Sequence, residues 1–201
     1  MYDQPPSRFQ LNNPIWHDFN ASFRLPIPIA NKEWLFDENS LTARLIKASN
    51  GDFSVNLLRQ RWGAMSPSEC HLLNKSPRLQ CMIREVLLQC CGIPWVYARS
   101  IIPISSLSGP IRHLRHLDTR PLGQLLFNTP NMRRSPFQIS PFSSQKLIHQ
   151  LNKDFGGPNE TRLEQPNEST LWGRRSRFII YNKPLIVSEI FLPNFRPNPP
   201  Q

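Results

Sequence analysis

Two charged residues in this 201-residue chain stand where strand periodicity leaves no room for a bare charge. Successive side chains of a strand point to opposite faces, so residues two apart share one. In segment 81–89 one face carries Met82, Arg84, Val86 and Leu88, and the other carries Ile83, Glu85 and Leu87. In segment 184–192 one face carries Leu185, Val187, Glu189 and Phe191, and the other Ile186, Ser188, Ile190 and Leu192. Arg84 and Glu189 therefore sit among apolar neighbours. A buried charge must be paired, neutralised or used, because leaving it bare is costly. One reading joins the two as an internal salt bridge. The other is a closed pocket in which Arg84 grips a ligand carboxylate and Glu189 faces the reactive or hydroxyl end.

Other candidate chemistry is thinner. His113 and His116 are three apart and could share a helical face, but no third ligand is in view, so no metal site is expected. Cys70, Cys81, Cys90 and Cys91 include no C-x-x-C pair, which argues against zinc-ribbon and thioredoxin-like chemistry. The net charge is +10 and the pI near 10.1. Such a surface suits nucleic acid, an anionic membrane or a small anionic substrate. Between Arg99 and Ser135 there are six arginines, no lysine and one acid, Asp118. Arginine favours bidentate carboxylate or phosphate contacts, although a solvated basic face accounts for most of these residues. A nucleic-acid binder would need a glycine-rich clamp, a zinc pattern or an aromatic-basic run, and none is recognisable.

Around these residues the chain reads as α+β, one antiparallel sheet packed by a few helices. Residues 1–30 form a Pro/Asn-rich arm and residues 194–201 a Pro-rich tail, both expected to be extended. A helix is expected from Trp34, with the stripe Leu41, Leu45 and Ile46, ending at Gly51. Strands are expected at 53–62, 81–89, 95–103, 174–181 and 184–192, with a turn at Gly92-Ile93-Pro94 and another at Asn182-Lys183. Segment 63–78 is a connection with room for a short helix. A helix should open near Thr119 and run to about Phe127, and another spans 144–155, stopped by Gly156-Gly157. Residues 128–143 read as loop. No apolar run approaches a membrane span, and there is no secretory leader pattern, so the expected location is the cytoplasm. The sequons at Asn159 and Asn167 carry no weight without one.

Several segments resemble the bacterial chorismate pyruvate-lyases of ubiquinone biosynthesis. They are Ile83-Arg84-Glu85-Val86-Leu87-Leu88, Gly92 through Pro110 with its Leu-Ser-Gly-Pro ending, Pro121-Leu122-Gly123, and Leu171-Trp-Gly-Arg-Arg-Ser-Arg177 running on to Lys183–Pro193. Trp34-Leu35 with Ser40-Leu41-Thr42 is a weaker fifth. The likeness covers about residues 32–193, with an insert at about 141–170 that is expected to lie outside the core.

The resemblance implies an antiparallel sheet whose helices and flaps close over an internal ligand site, in a domain of residues 31–193. It implies that Arg84 binds the ring carboxylate and that Glu189 faces the hydroxyl end. Leu41 and Leu122 fall where the family contacts ligand from two flaps; the family more often has methionine at the first. The implied substrate is chorismate, the products are 4-hydroxybenzoate and pyruvate, and no cofactor is needed. A second basic group should hold the enolpyruvyl carboxylate, with Arg174, Arg175 and Arg177 as candidates. Glu189 either removes the proton from the hydroxyl-bearing carbon or only orients the hydroxyl. The expected enzyme is a monomer without nucleic acid or membrane partners. An aromatic-acid-sensing domain of the same fold is the alternative, though the Pro-rich arm leaves no place for a helix-turn-helix.

Overall fold

A computed structural model describes residues 14–22, 24–156, 163–164 and 169–195. Eight strands make one antiparallel sheet. They are β1 (His17–Asp18), β2 (Phe53–Gly63), β3 (Cys81–Cys90), β4 (Ile93–Pro103), β5 (Arg133–Arg134), β6 (Gln138–Ser143), β7 (Thr170–Ile180) and β8 (Lys183–Phe191). Their spatial order is β1-β6-β7-β8-β4-β3-β2, and β5 adds to β7. The helices are α1 (Phe19–Ser22), α2 (Ile29–Leu35), α3 (Leu41–Ala48), α4 (Pro67–Leu73), α5 (Leu122–Phe127) and α6 (Ser144–Phe155), with 3-10 turns at Ile104–Ser106 and Gly109–His116. The architecture is the α+β class expected. The β7–β8 turn falls at Tyr181 and Asn182, one residue before the expected place. Both have positive φ, 49° and 60°, as a two-residue hairpin turn whose twist matches its strands requires.

Both faces of the sheet are covered. On the face that carries Arg84, α2 and α3 pack Trp34, Leu35, Leu41 and Leu45 onto Val86, Leu88, Val96 and Phe191. At the other end of that face, the 3-10 segment and α5 pack Ile111, Leu114, Leu122 and Leu126 onto Met82, Ile102, Phe178 and Leu185. The two apolar clusters leave the strip between them to Arg84 and Glu189. On the opposite face α4 covers Ile83, Ile101 and Ile186, and α6 covers Leu87, Tyr97, Phe142 and Ile190.

Four expectations need correction. The helix expected from Trp34 is two helices. Asp37 accepts hydrogen bonds from the Asn39 main chain and side chain, and Ser40 caps α3 by accepting from Ala43 N at 3.3 Å. These local bonds compete with a continuous helix. The helix after Thr119 begins only at Leu122, with Pro121 as its N-cap residue. The expected loop 128–143 holds β5 and β6. Proline was the misleading signal. Partner β1 covers only Gln138 and Ile139, so at Pro141 the strand is a sheet edge where a missing N–H costs no ladder bond. Helix α6, expected outside the core, buries Leu147, Ile148 and Leu151 in it.

The N-terminal arm expected to be extended is, where described, partly helical and paired with the sheet. Residues 1–13 and 196–201 lie outside the described residues, but His17 and Asp18 pair with Ile139 and Gln138. Phe195 meets the rings of Trp34, Trp95 and Phe191 at 5.0, 5.6 and 4.6 Å. Among the described residues no helix is long and apolar enough to cross a membrane.

Candidate functional site

The ladder registers fix which side chains share the strip. One row runs Arg84 (β3), Ser100 (β4), Val187 (β8), Ser176 (β7). The next runs Val86, Ala98, Glu189, Arg174, Ile139. Arg84 and Glu189 are thus two strands and two residues apart, on the order of 12 Å between backbones. The floor between them is Ala98, Ser100, Val187 and Ser176. No side chain there is larger than valine, so the strip can take a ring lying on the sheet. Ser176 Oγ is buried without a hydrogen-bond partner among the described residues.

Arg84 is 2% exposed and, among the described residues, forms no ion pair. Its Nη2 donates to the carbonyls of Asp118 and Arg120, at 2.7 and 3.1 Å. Its Nε has no partner. Burial brings the guanidinium pKa down to about 10, against the opposing charge of Asp118. The salt bridge to Glu189 does not form.

Glu189 is not alone among apolar groups either. Its Oε2 accepts from Arg174 Nε at 2.7 Å. Arg174 is buried, and its Nη1 donates to the carbonyls of Trp34 at 2.7 Å and Asp37 at 2.9 Å. Each site charge is therefore tied to a flap. Arg84 holds the 118–120 segment ahead of α5, and Arg174 holds the turn between α2 and α3.

Leu41 and Leu122 are both buried, each the first residue of its helix. A first helical residue has no intrahelical acceptor for its N–H. The two flaps meet here. A Cβ on Gly123 would stand 2.7 Å from Thr42 Oγ1, so only glycine allows the approach.

Alternation sends Arg175 and Arg177 to the opposite face. Arg175 Nε donates to Gln138 at 2.8 Å and Nη1 to Ser68 at 3.1 Å, with the guanidinium over Trp16. Burial brings its pKa down to about 10. Arg177 Nη1 reaches the Leu72 carbonyl at 3.5 Å. Neither can serve a ligand beside Arg84. His113 and His116 are exposed, and among the described residues no cluster of metal-ligating side chains occurs.

Sequence reasoning missed two features. Glu85 is fully buried on the opposite face. It accepts from Tyr97 Oη at 2.8 Å, Arg99 Nη1 at 3.0 Å and Arg59 Nε at 3.0 Å. Arg99 Nε also donates to Glu69, whose carboxylate caps α4. The in-register pairs Arg59–Glu85 and Glu85–Arg99 were the available signal. The second feature is a cavity beside Arg134. It measures about 430 Å³ and opens between the flaps, lined by Phe19, Glu38, Phe127, Met132, Arg134 and Phe137. Arg134 lay in a segment read as loop.

Residues 10–196 match the family model for chorismate lyase. A "Probable chorismate pyruvate-lyase" of Psychromonas ingrahamii is 40% identical over 80% of this chain and 81% of its own. One of Hydrogenovibrio crunogenus is 34% identical over 93% of this chain and 96% of its own. Among solved structures, the PhnF C-terminal domain superposes with a TM-score of 0.52 at 16% identity, over 70% of this chain and 82% of that one. The C-terminal domain of the histidine utilization repressor of Pseudomonas syringae does so at 0.50 and 8%, over 74% and 97%. These two likenesses bear on the fold alone.

Proposed function

The chain belongs to the chorismate lyase family and is a chorismate pyruvate-lyase, and from that premise we propose that chorismate loses pyruvate on the strip between Arg84 and Glu189, leaving 4-hydroxybenzoate. The product is the ring precursor of ubiquinone biosynthesis, the family's known context. One observation carries the assignment of the site. Among the described residues Arg84 is a buried cation with no carboxylate partner and an unpaired Nε, so a ligand carboxylate completes it.

Arg84 takes the ring carboxylate. The ring lies over Ala98 and Ser100, with its hydroxyl-bearing carbon toward Glu189. Leu41 and Leu122 close over it, with apolar side chains that exclude water and main-chain N–H groups free to donate. In the reaction the ether C–O bond at the ring breaks and the neighbouring carbon loses its proton. The ring becomes aromatic, and the departing enolpyruvate gains a proton to become pyruvate. Aromatisation makes the reaction run downhill, so the protein's task is to hold the reacting conformer and stabilise charge on the leaving group. Orientation supplies up to ~7–11 kcal/mol in favourable cases, and preformed donors add to it. Glu189 is held in place by Arg174 Nε, in position to accept the ring proton or the hydroxyl hydrogen bond.

The enzyme acts as a cytoplasmic monomer without nucleic acid. Its own helices cover both faces of the sheet, and edge strand β2 carries Arg59 and Arg61, charges that discourage edge pairing.

The test mixes purified protein with chorismate and follows 4-hydroxybenzoate by absorbance and pyruvate in a coupled dehydrogenase assay. Equimolar products, lost in Arg84→Ala, are expected. A wild type that makes neither product yet binds 4-hydroxybenzoate would turn the reading to an aromatic-acid sensor.

A further inference from the structure

Chorismate carries two carboxylates, and the site as described has a partner for only one. The enolpyruvyl group is attached to the carbon next to the hydroxyl-bearing one. Its carboxylate must therefore project from the Glu189 end of the strip, away from Arg84. Arg174 is at that end, but it is already bonded to Glu189 and to the carbonyls of Trp34 and Asp37. Arg175 and Arg177 are behind the sheet.

One further arginine reaches the same end. Arg134 lies on β5, which pairs with β7, so its backbone is fixed. Its guanidinium lies 4.2 Å from the ring centre of Phe137, the same ring that Arg174 approaches at 4.5 Å. Among the described residues it has no ion pair and no side-chain hydrogen bond. It is half-buried and faces the cavity between the flaps. Burial and the neighbouring Arg174 charge lower its pKa, while Glu38 and Glu189 oppose them, so its surroundings leave the cation under-compensated.

The geometry points to Arg134 and the cavity between the flaps as the subsite for the enolpyruvyl carboxylate of chorismate. This rests on the lyase reading above. An aromatic cradle of Phe127 and Phe137 holds the guanidinium still, and the cavity of about 430 Å³ has room for a three-carbon acid and its escape once the ether bond breaks. The ring end is then shared with 4-hydroxybenzoate, while the outer end recognises only the group that leaves. As charge moves onto the departing enolpyruvate, Arg134 faces it, so the contact strengthens toward the transition state.

The experiment compares wild type, Arg134→Gln and Arg134→Lys in chorismate turnover and in 4-hydroxybenzoate binding. The glutamine variant keeps a polar stem over Phe137, and thermal unfolding checks that each variant is folded. Arg134→Gln is expected to lose roughly 10- to 100-fold in kcat/KM, the worth of a charge-assisted pair. Its affinity for 4-hydroxybenzoate, which lacks the second carboxylate, should stay within about twofold of wild type. Arg134→Lys should recover part of the loss. Unchanged turnover in the glutamine variant would overturn the inference and leave the lyase reading intact. Equal losses of turnover and 4-hydroxybenzoate affinity would also overturn it, because they mean a general opening of the pocket. A wild type without lyase activity would bring down the underlying reading itself.

Discussion

Arg174 and Glu189 face each other across the β7–β8 ladder, Nε to Oε2 at 2.7 Å, and the same guanidinium holds two carbonyls of the first flap. The residue thus positions the carboxylate and the lid together. Removing one partner of a buried pair leaves the other uncompensated, which typically costs about 3–5 kcal/mol. Arg174→Met is expected to lose stability on that order in urea unfolding. Chorismate turnover should fall with it, even at temperatures where the variant remains folded, because Glu189 and the 34–37 turn lose their common anchor.

Glu189→Gln separates charge from shape. The amide keeps the size of the carboxylate and can still accept from Arg174. Binding of 4-hydroxybenzoate should therefore survive, weakened by no more than about tenfold. If Glu189 accepts the ring proton, kcat falls by roughly 10²-fold or more, the usual contribution of a positioned base. Steady-state kinetics with pyruvate as the readout decides it, and turnover near wild type removes the base role.

Ligand binding should also stabilise the protein, since it neutralises the lone cation at Arg84. A ligand that binds only the folded state adds about 2.7 kcal/mol at a hundred times its Kd. 4-Hydroxybenzoate should raise the melting temperature of the wild type and leave that of Arg84→Ala unmoved. Benzene-1,4-diol, which has the hydroxyl end but no carboxylate, should give little shift to either.

The strands that carry the site were legible because alternation is strict. Met82-Ile-Arg-Glu-Val and Leu185-Ile-Val-Ser-Glu put Arg84 and Glu189 each on an otherwise apolar face of its own strand without any structure. Their partners were not legible. That Glu189 would meet Arg174 depends on β7 lying beside β8 in a register that places the two opposite, and the Asn182-Lys183 signal places the hairpin turn one residue late. Arg134 was hidden for a different reason. Pro136 and Pro141 put strand breakers just before and inside β6, and only the sheet edge beyond β1 makes Pro141 tolerable. The insert is expected outside the core because the family pattern resumes intact at residues 171–177, and that pattern says nothing of where α6 packs. Its apolar stripe Leu147, Ile148, Leu151 was visible, but which surface it covered was not.

The flaps offer a point at which product release can be changed without touching a charge. Gly123 Cβ would meet Thr42 Oγ1 at 2.7 Å, so Gly123→Ala must push α5 from α3. Overpacking of this kind costs about 1–3 kcal/mol, borne by the closed state. 4-Hydroxybenzoate should dissociate faster, by roughly tenfold or more, in stopped-flow displacement. Pairing the change with Thr42→Ser leaves the clash; pairing it with Thr42→Gly removes it and should restore slow release.

The thiols give a pH dependence with a definite sign. Burial pushes Cys81 up to about 12 and Cys90 up to about 11, whereas Cys91 is exposed. In the unfolded chain these thiols ionise near 8.5–9. Above that range the unfolded state binds fewer protons than the folded one, so stability falls as pH rises from about 9 toward 11. Arg84 acts in the opposite sense, but only above about 10, where the folded state releases its proton first. Urea midpoints should therefore decline between pH 9 and 10. Replacing Cys81 and Cys90 with alanine should flatten that decline, while Cys91→Ala leaves it in place. In the native wild type at pH 8, a thiol reagent should modify Cys91 ahead of the three buried cysteines, which react only as the chain unfolds.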